Sequence, residues 1–468
     1  MAYEPTIESL RQHQVPEWYH DAKLGIFIHW GLYSVPGWAP LSGDITKIIA
    51  EHGWAAMFSR NPYAEWYLNS LKFENSATRK YHESTWGVDF TYDQFAPLFN
   101  QAVTAWDPQD WASLFQQVGA RYVVLTTKHH DGFTLWPTAH PCPRKPDYYA
   151  TRDLVGELTD AVRGRGLRMG LYYSGGLDWS FNETRIEDVN DTHSTIVQEP
   201  EFVAYANAHW RELIDRYQPA LLWNDIGYPT AANLPELFAY YYNRVPEGII
   251  NDRFAQVTTR EAATGDDMLA SPQGRHYDII TPEYTSFPDI QTQKWETCRG
   301  IGHSFGYNRN EGDEQLISVE ALIHLFVDIV SKNGNLLLNI GPMADGTIPA
   351  NQRQRLEGLG AWLQINGEAM FGSRPWVQAE GRTAQGISVR YTQQGRALYA
   401  TLLGSPTERQ IRLEGLAADA NATVQLLGRG GVLAWQQENA DMVITLPENL
   451  PDSPAHCFKI TPLPTVAR

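Results

Sequence analysis

The chain has 468 residues, of which 43% are hydrophobic, 19% charged and 12% aromatic, with 16 Trp. That length suits two or three domains, and that composition supports a real core and excludes an intrinsically disordered chain. The net charge of −17 has no single block of like charges behind it. Nucleic acid and anionic membranes need clustered Lys and Arg, so both are excluded as partners, and a neutral small-molecule ligand fits better.

In chain order, short apolar runs recur, each ending in polar or aromatic residues. They are GIFIHWG (25–31), RYVVLTTKHHDG (121–132), LRMGLYYSGGLDW (167–179), PALLWNDIG (219–227), GIINDRF (248–254), YDIITPEY (277–284), GHSFGYN (302–308) and GNLLLNIGP (334–342). Near-continuous runs of this length predict parallel strands buried on both faces. Helical patterns separate many of them. In WDPQDWASLFQQVGA, Asp107 reads as an N-cap, Pro108 as a first-turn proline and Gly119 as the stop. Residues 151–166, 200–217 and 317–332 each carry one apolar face, and a longer helix is expected over 349–371. Eight strand candidates with helical connections predict an α/β fold, a (β/α)8-like barrel, over residues 1–373.

The first connection, 32–105, is long and rich in Trp, Tyr and Pro, which predicts a functional wall rather than a plain crossover. After Arg374 the texture changes. GISVRYTQ, RALYATLLG, RQIRLEGL, TVQLLG, DMVITLP and HCFKITP alternate and are divided by turn residues. This predicts a C-terminal antiparallel β-sandwich over 374–468.

Cys142, Cys298 and Cys457 are odd in number and widely spaced, which is neither a disulfide framework nor a zinc cluster. No apolar signal-like segment opens the sequence, and no run of about 18 apolar residues occurs. A reducing cytoplasm is the expected location. The sequence leaves open whether the chain works alone or as a homo-oligomer.

In a barrel, chemistry sits at the C-terminal strand ends. Those ends supply His29, His129, His130, Asp131, Tyr172, Asp178, Asp225, Asp252, Arg253, Glu283, Phe305 and Asn339. Asp225 directly follows a buried strand, where a helix-capping Asp is the rival explanation. Glu283 beside Tyr284 is either a partly desolvated acid or a surface Glu. Two carboxylates facing one pocket are what glycosidic cleavage needs. The histidines could instead bind a metal together with Asp225. No HxH or HExxH spacing supports that, and His129 and His130 would point to opposite faces of a continuing strand. As neutral imidazoles they can hydrogen-bond sugar hydroxyls.

Taken in order, WYHDAKLGIFIHWGLYSVPGW, NPYAEWY, TTKHHDGFTLW, RDLVGEL, GLYYSGGLDW, LLWNDIG, NDRF, TPEY, WETCRGIGHSFGYNRNE and SKNGNLLLNIGPMADGTIP resemble the α-L-fucosidases of glycoside hydrolase family 29. The resemblance is dense from about residue 16 to 375 and continues as a sandwich domain. It implies a retaining exo-hydrolase of terminal α-L-fucosides, working without a metal or other cofactor. By matching motif, Asp225 corresponds to the nucleophile and Glu283 to the general acid/base. His29, Glu65, Trp66, His129, His130, Tyr172 and Arg253 match fucose-binding positions, and Tyr63 and Phe305 match residues that shape the pocket. In some members the acid/base falls on the Glu of a WE pair, here Glu296, which stands as the alternative to Glu283. The stretch 255–276, between NDRF and YDIITPEY, is long and polar, and it is expected to alter access to the leaving-group side.

Overall fold

The structure is a computed structural model that describes residues 2–259 and 272–467. Residues 260–271, within the polar stretch between NDRF and YDIITPEY, lie outside the described residues.

Seven parallel strands form the barrel wall: β1 (Leu24–Ile28), β2 (Tyr122–Lys128), β3 (Arg168–Ser174), β4 (Leu221–Asp225), β5 (Ile249–Ile250), β6 (Trp295–Gly300) and β7 (Gly334–Ile340). Their order is β5-β4-β3-β2-β1-β7-β6. β1, β2, β4 and β7 are buried at every position, which explains their near-continuous apolar sequences. The eighth place is taken by residues 279–283. This segment forms isolated parallel bridges, Asn251 to Ile279 on one side and Ile280 to Trp295 and Glu283 to Cys298 on the other. The wall therefore closes, with its thinnest part between β5 and β6.

Two strand expectations need correction. GHSFGYN is a loop, and the strand next to it is WETCRG, which forms β6. The charged Glu296 and Arg299 hid that strand from a hydrophobicity pattern. YDIITPEY makes bridges without a continuous ladder.

The helices follow their local signals. Helix Pro108–Gln117 starts where Asp107 accepts a bond from the Gln109 N–H and ends before Gly119, whose φ of 85° only glycine adopts cheaply. Helices Leu154–Gly164, Pro200–Tyr217, Val319–Ser331 and Ala350–Met370 occupy the other expected places. Their apolar faces and the outer strand face form the larger core. A separate interior core, including Tyr19, Phe27, Tyr122, Tyr172 and Trp223, fills the barrel. No helix among the described residues is long and apolar enough to cross a membrane.

Beyond Met370 the chain enters an antiparallel domain. A five-stranded sheet (374–382, 388–394, 397–402, 423–426 and 456–461) and a three-stranded sheet (410–413, 435–438 and 441–445) enclose a core around Val389, Leu398, Ile411 and Phe458. The domain is pinned to the barrel helices. Trp362 Nε1 donates to the Ala455 carbonyl at 3.0 Å, and Thr392 Oγ1 donates to the Ala369 carbonyl at 2.7 Å.

Candidate active site

Asp225 is the last residue of β4, two positions beyond Trp223, so both side chains point into the barrel. Glu283 ends the eighth wall segment. Arg253 lies just past β5. Its Nη1 donates to Asp225 Oδ1 at 2.9 Å and to Glu283 Oε1 at 2.7 Å. The two contacts laid end to end limit the separation of these oxygens to about 5.6 Å. Tyr172 on β3 donates to the other Asp225 oxygen at 2.8 Å. Burial opposes the charge on Arg253, but Glu283 and Asp225 more than reverse this and hold its pKa well above the usual value. The guanidinium also lies 4.6 Å from the centroid of the Trp223 ring.

The residues after both carboxylates adopt left-handed backbone. Ile226 has φ 47° and Tyr284 has φ 51°. For a β-branched or bulky residue this costs about 1–3 kcal/mol and tends to occur where function demands it. After Asp225, Asn224 Nδ2 holds the turn by donating to the Gly227 carbonyl at 2.8 Å and the Arg253 carbonyl at 2.9 Å.

Hydrogen bonding assigns the histidine tautomers. Ser174 Oγ donates its proton to the Leu177 carbonyl at 2.6 Å, so it accepts from His130 Nδ1, 2.6 Å away. The Asn339 amide donates to the Phe305 carbonyl at 2.7 Å, which leaves its oxygen to accept from His29 Nδ1 at 2.6 Å. Burial lowers the pKa of His29 to about 4 and that of His130 to about 3. Both rings are therefore neutral, and each leaves its Nε2 as an acceptor. His130 Nε2 lies 3.8 Å from Asp225 Oδ2. Two acceptors at that distance want a donor between them, such as a sugar hydroxyl.

β2 ends at Lys128, so strand alternation no longer applies to His129 and His130. Their ring centroids are 4.0 Å apart, and both line the pocket. His129 stacks on Tyr172, with the planes 11° apart. Among the described residues its Nδ1 has no hydrogen-bond partner, nor has Tyr63 Oη. Buried polar atoms of this kind are costly unless a ligand or water meets them.

The long first connection does wall the site. Asn61 Oδ1 accepts from the Tyr63 N–H at 2.9 Å and opens the short turn Ala64–Trp66. This turn is sewn to the loop after β6. The Ala64 N–H donates to Ser304 Oγ at 2.9 Å, and the Gly306 N–H donates to Glu65 Oε2 at 2.7 Å. A Cβ on Gly306 would come within 2.9 Å of the Tyr33 ring, so only glycine allows the approach. Burial raises the Glu65 pKa to about 8 against these bonds, so near neutrality it holds a proton that it can donate. Trp66 meets His130 edge-on at 5.2 Å, and Phe305 packs between His29, Tyr63 and Tyr284. Apart from the alternative acid Glu296, every side chain singled out from the motifs, from His29 to Phe305, thus borders one cavity.

Glu296 does not. It is fully buried on β6 and accepts from Tyr19 at 2.7 Å, from Tyr122, and from Trp223 Nε1 at 3.1 Å. Gly25 makes room for this node, because a Cβ there would lie 2.4 Å from the Tyr122 ring. Sequence reasoning missed Trp223, which roofs Glu296 and floors the pocket. Its two-residue spacing from Asp225 was the available signal. Among the described residues no group of three or more His, Cys, Asp or Glu side chains is arranged to hold a metal.

Comparison with known proteins agrees with this geometry. The α-L-fucosidase family model matches residues 1–368, and the α-L-fucosidase C-terminal domain model matches residues 383–461. The chain belongs to the α-L-fucosidase family. It is 34% identical to the tissue α-L-fucosidase of Rattus norvegicus over 461 residues, 95% of this chain and 89% of that one. The Homo sapiens tissue enzyme is likewise 34% identical, over 96% of this chain and 89% of its own. The structure of a Thermotoga maritima α-fucosidase in complex with fucose is similar, with a TM-score of 0.85 and 43% identity, covering 98% of this chain and 100% of that one. This α-L-fucosidase is therefore a glycoside hydrolase built as a barrel followed by a β-sandwich.

Two outcomes follow for this fucosidase. Glu296→Ala strands three buried donors and should lower unfolding stability by about 3 kcal/mol or more, read by denaturant titration; an unchanged midpoint would contradict the node. For Glu65, the folded pKa of about 8 lies above the ordinary value of 4.5. The unfolded chain therefore ionises first, and stability is lost as pH rises through that window. Glu65→Gln should match the wild type in stability near pH 4 and exceed it increasingly towards pH 8, which a melting series over pH would show.

Proposed function

We propose that the enzyme removes terminal α-L-fucosyl residues from fucosides and fucosylated glycans by double displacement. Asp225 attacks the anomeric carbon while Glu283 gives its proton to the departing glycosidic oxygen. This leaves a covalent fucosyl ester on Asp225. Glu283, now ionised, takes a proton from water as the water oxygen attacks the same carbon and releases Asp225. Two inversions return the original configuration.

One observation carries this reading. Both carboxylates contact the same guanidinium nitrogen, at 2.9 and 2.7 Å. That closeness supports the spacing of about 5–5.5 Å used by retaining glycosidases over the roughly 6.5–9.5 Å that an inverting pair needs for its water. The choice of Glu283 over Glu296 rests on access. Glu283 borders the cavity, whereas Glu296 is fully buried beneath Trp223.

Fucose lacks a 6-hydroxyl, so its C5 methyl needs an apolar wall. Phe305, Tyr63 and Tyr284 form an aromatic cluster suited to it. The Nε2 atoms of His29 and His130 accept sugar hydroxyl protons, and protonated Glu65 donates one. His129, Trp66, Tyr172 and Arg253 complete the ring of contacts. The fucose in the related Thermotoga maritima complex supports the sugar assignment. A reducing cytoplasm is the proposed location, supported by three buried free thiols at Cys142, Cys298 and Cys457.

Asp225→Gly should abolish turnover of an aryl α-L-fucoside, with azide restoring part of it as fucosyl azide. Glu283→Ala should slow substrates with poor leaving groups by about 100-fold or more while sparing activated ones. Near-normal kcat in Asp225→Gly, or this leaving-group dependence in Glu296→Ala instead, would sink the assignment.

A further inference from the structure

The wall segment that carries Glu283 is tied to β6 by backbone bonds, among them the Cys298 N–H to the Pro282 carbonyl at 3.1 Å and the Tyr284 N–H to the Cys298 carbonyl at 3.0 Å, but it has little backbone to hold it on the β5 side. β5 is two residues long, and a single isolated bridge, Asn251 to Ile279, joins the segment to that side. There side chains take over the work of the ladder. Asp278 Oδ2 accepts from the Ile250 N–H at 2.8 Å, while the Asp278 N–H donates to the Ile250 carbonyl at 2.9 Å. Two residues on, Asp252 Oδ1 accepts from both the N–H and the Oγ1–H of Thr281, at 3.1 and 2.7 Å.

This second contact sets the orientation of Arg253. The single hydroxyl proton of Thr281 is committed to Asp252, so its oxygen can only accept from Arg253 Nε, 3.2 Å away. The Thr281 carbonyl accepts from Arg253 Nη2 at 2.7 Å. With Nε and Nη2 held, the planar guanidinium can place Nη1 in one direction only, and there it meets Asp225 and Glu283. Asp252 and Thr281 are both buried and neither borders the cavity. They cannot touch substrate and act only through Arg253 and through Pro282, the one residue between Thr281 and Glu283.

We propose that Asp252 and Thr281 form a positioning pair that sets the spacing of the two catalytic carboxylates. It does so by fixing the guanidinium spanning them and the segment bearing the acid/base. The inference rests on the double-displacement reading above. An aspartate is suited to the task because its carboxylate is acceptor-only and one oxygen can take both Thr281 donors. A threonine is suited because it supplies a donor, an acceptor and a backbone carbonyl from one site. Loosening the pair moves Glu283 relative to the glycosidic oxygen more than it alters the contacts of the bound sugar. Misplacement of about 1 Å costs on the order of 100-fold in rate.

The test uses the full chain and aryl α-L-fucosides of graded leaving-group ability. Thr281→Val keeps the shape and removes both hydroxyl functions, Asp252→Ala removes the oxygen that accepts both Thr281 donors, and Thr281→Ser restores the hydroxyl. Thr281→Val and Asp252→Ala should lower kcat by about 10- to 100-fold. The loss should be larger for poor leaving groups, KM should change by less than about threefold, and Thr281→Ser should recover most of the rate. If either Thr281→Val or Asp252→Ala folds and keeps wild-type kcat, or if the loss is the same for all leaving groups, the proposal is overturned. Asp225→Gly and Glu283→Ala run alongside. If they fail to give azide rescue and leaving-group sensitivity, the double-displacement reading itself has failed; if they behave as expected and the Thr281 variants do not, only the positioning role has.

Discussion

The site depends on one buried cation. Asp225 and Glu283 approach closely inside a cavity floored and walled by aromatic rings, where two like charges would repel strongly. Arg253 lies between them, and its charge is what allows them to share the space. The arrangement is demanding, because desolvating a cation with its carboxylate partner is expensive and stripping one partner from such a set costs about 3–5 kcal/mol. The fold answers by holding the guanidinium on every side: Thr281 takes two of its nitrogens, Trp223 lies beneath it, and the third nitrogen reaches the carboxylates.

A second constraint is the neutrality of the histidines. Three imidazoles crowd one wall, and charged rings there would repel one another and Arg253. Burial keeps them neutral, while Ser174 and Asn339 fix which nitrogen carries the proton in His130 and His29. The wall thus presents acceptors to a ligand rich in hydroxyl donors. Protonated Glu65 across the cavity supplies the opposite polarity, held in place by the loop that also carries Phe305.

Much of this was legible in the sequence, for physical reasons. The strands β1, β2, β4 and β7 read as apolar because both their faces are covered, and the helix after Asp107 announced its cap and its stop. The strand-end rule alone collects Asp225, Arg253 and Glu283. What escaped was structure carried by polar side chains. Glu296 and Arg299 disguise β6, so a hydrophobicity pattern reads the loop bearing Phe305 as the strand. On its β5 side the eighth wall segment is held by Asp278 and Asp252 rather than by a ladder, and no periodicity reports such bonds. Trp223 belongs to the interior core, and its upper face also supports the guanidinium. His129 and His130 would take opposite faces only on a continuing strand, and they share one because the strand ends just before them.

The central claim is that the two carboxylates stand close enough for a covalent route. It is tested most directly by following the anomer first released from an aryl α-L-fucoside by proton NMR, before mutarotation blurs it. The account predicts that α-L-fucose forms first and the β-anomer grows in only later. Initial release of β-L-fucose would mean a single inversion and would contradict it.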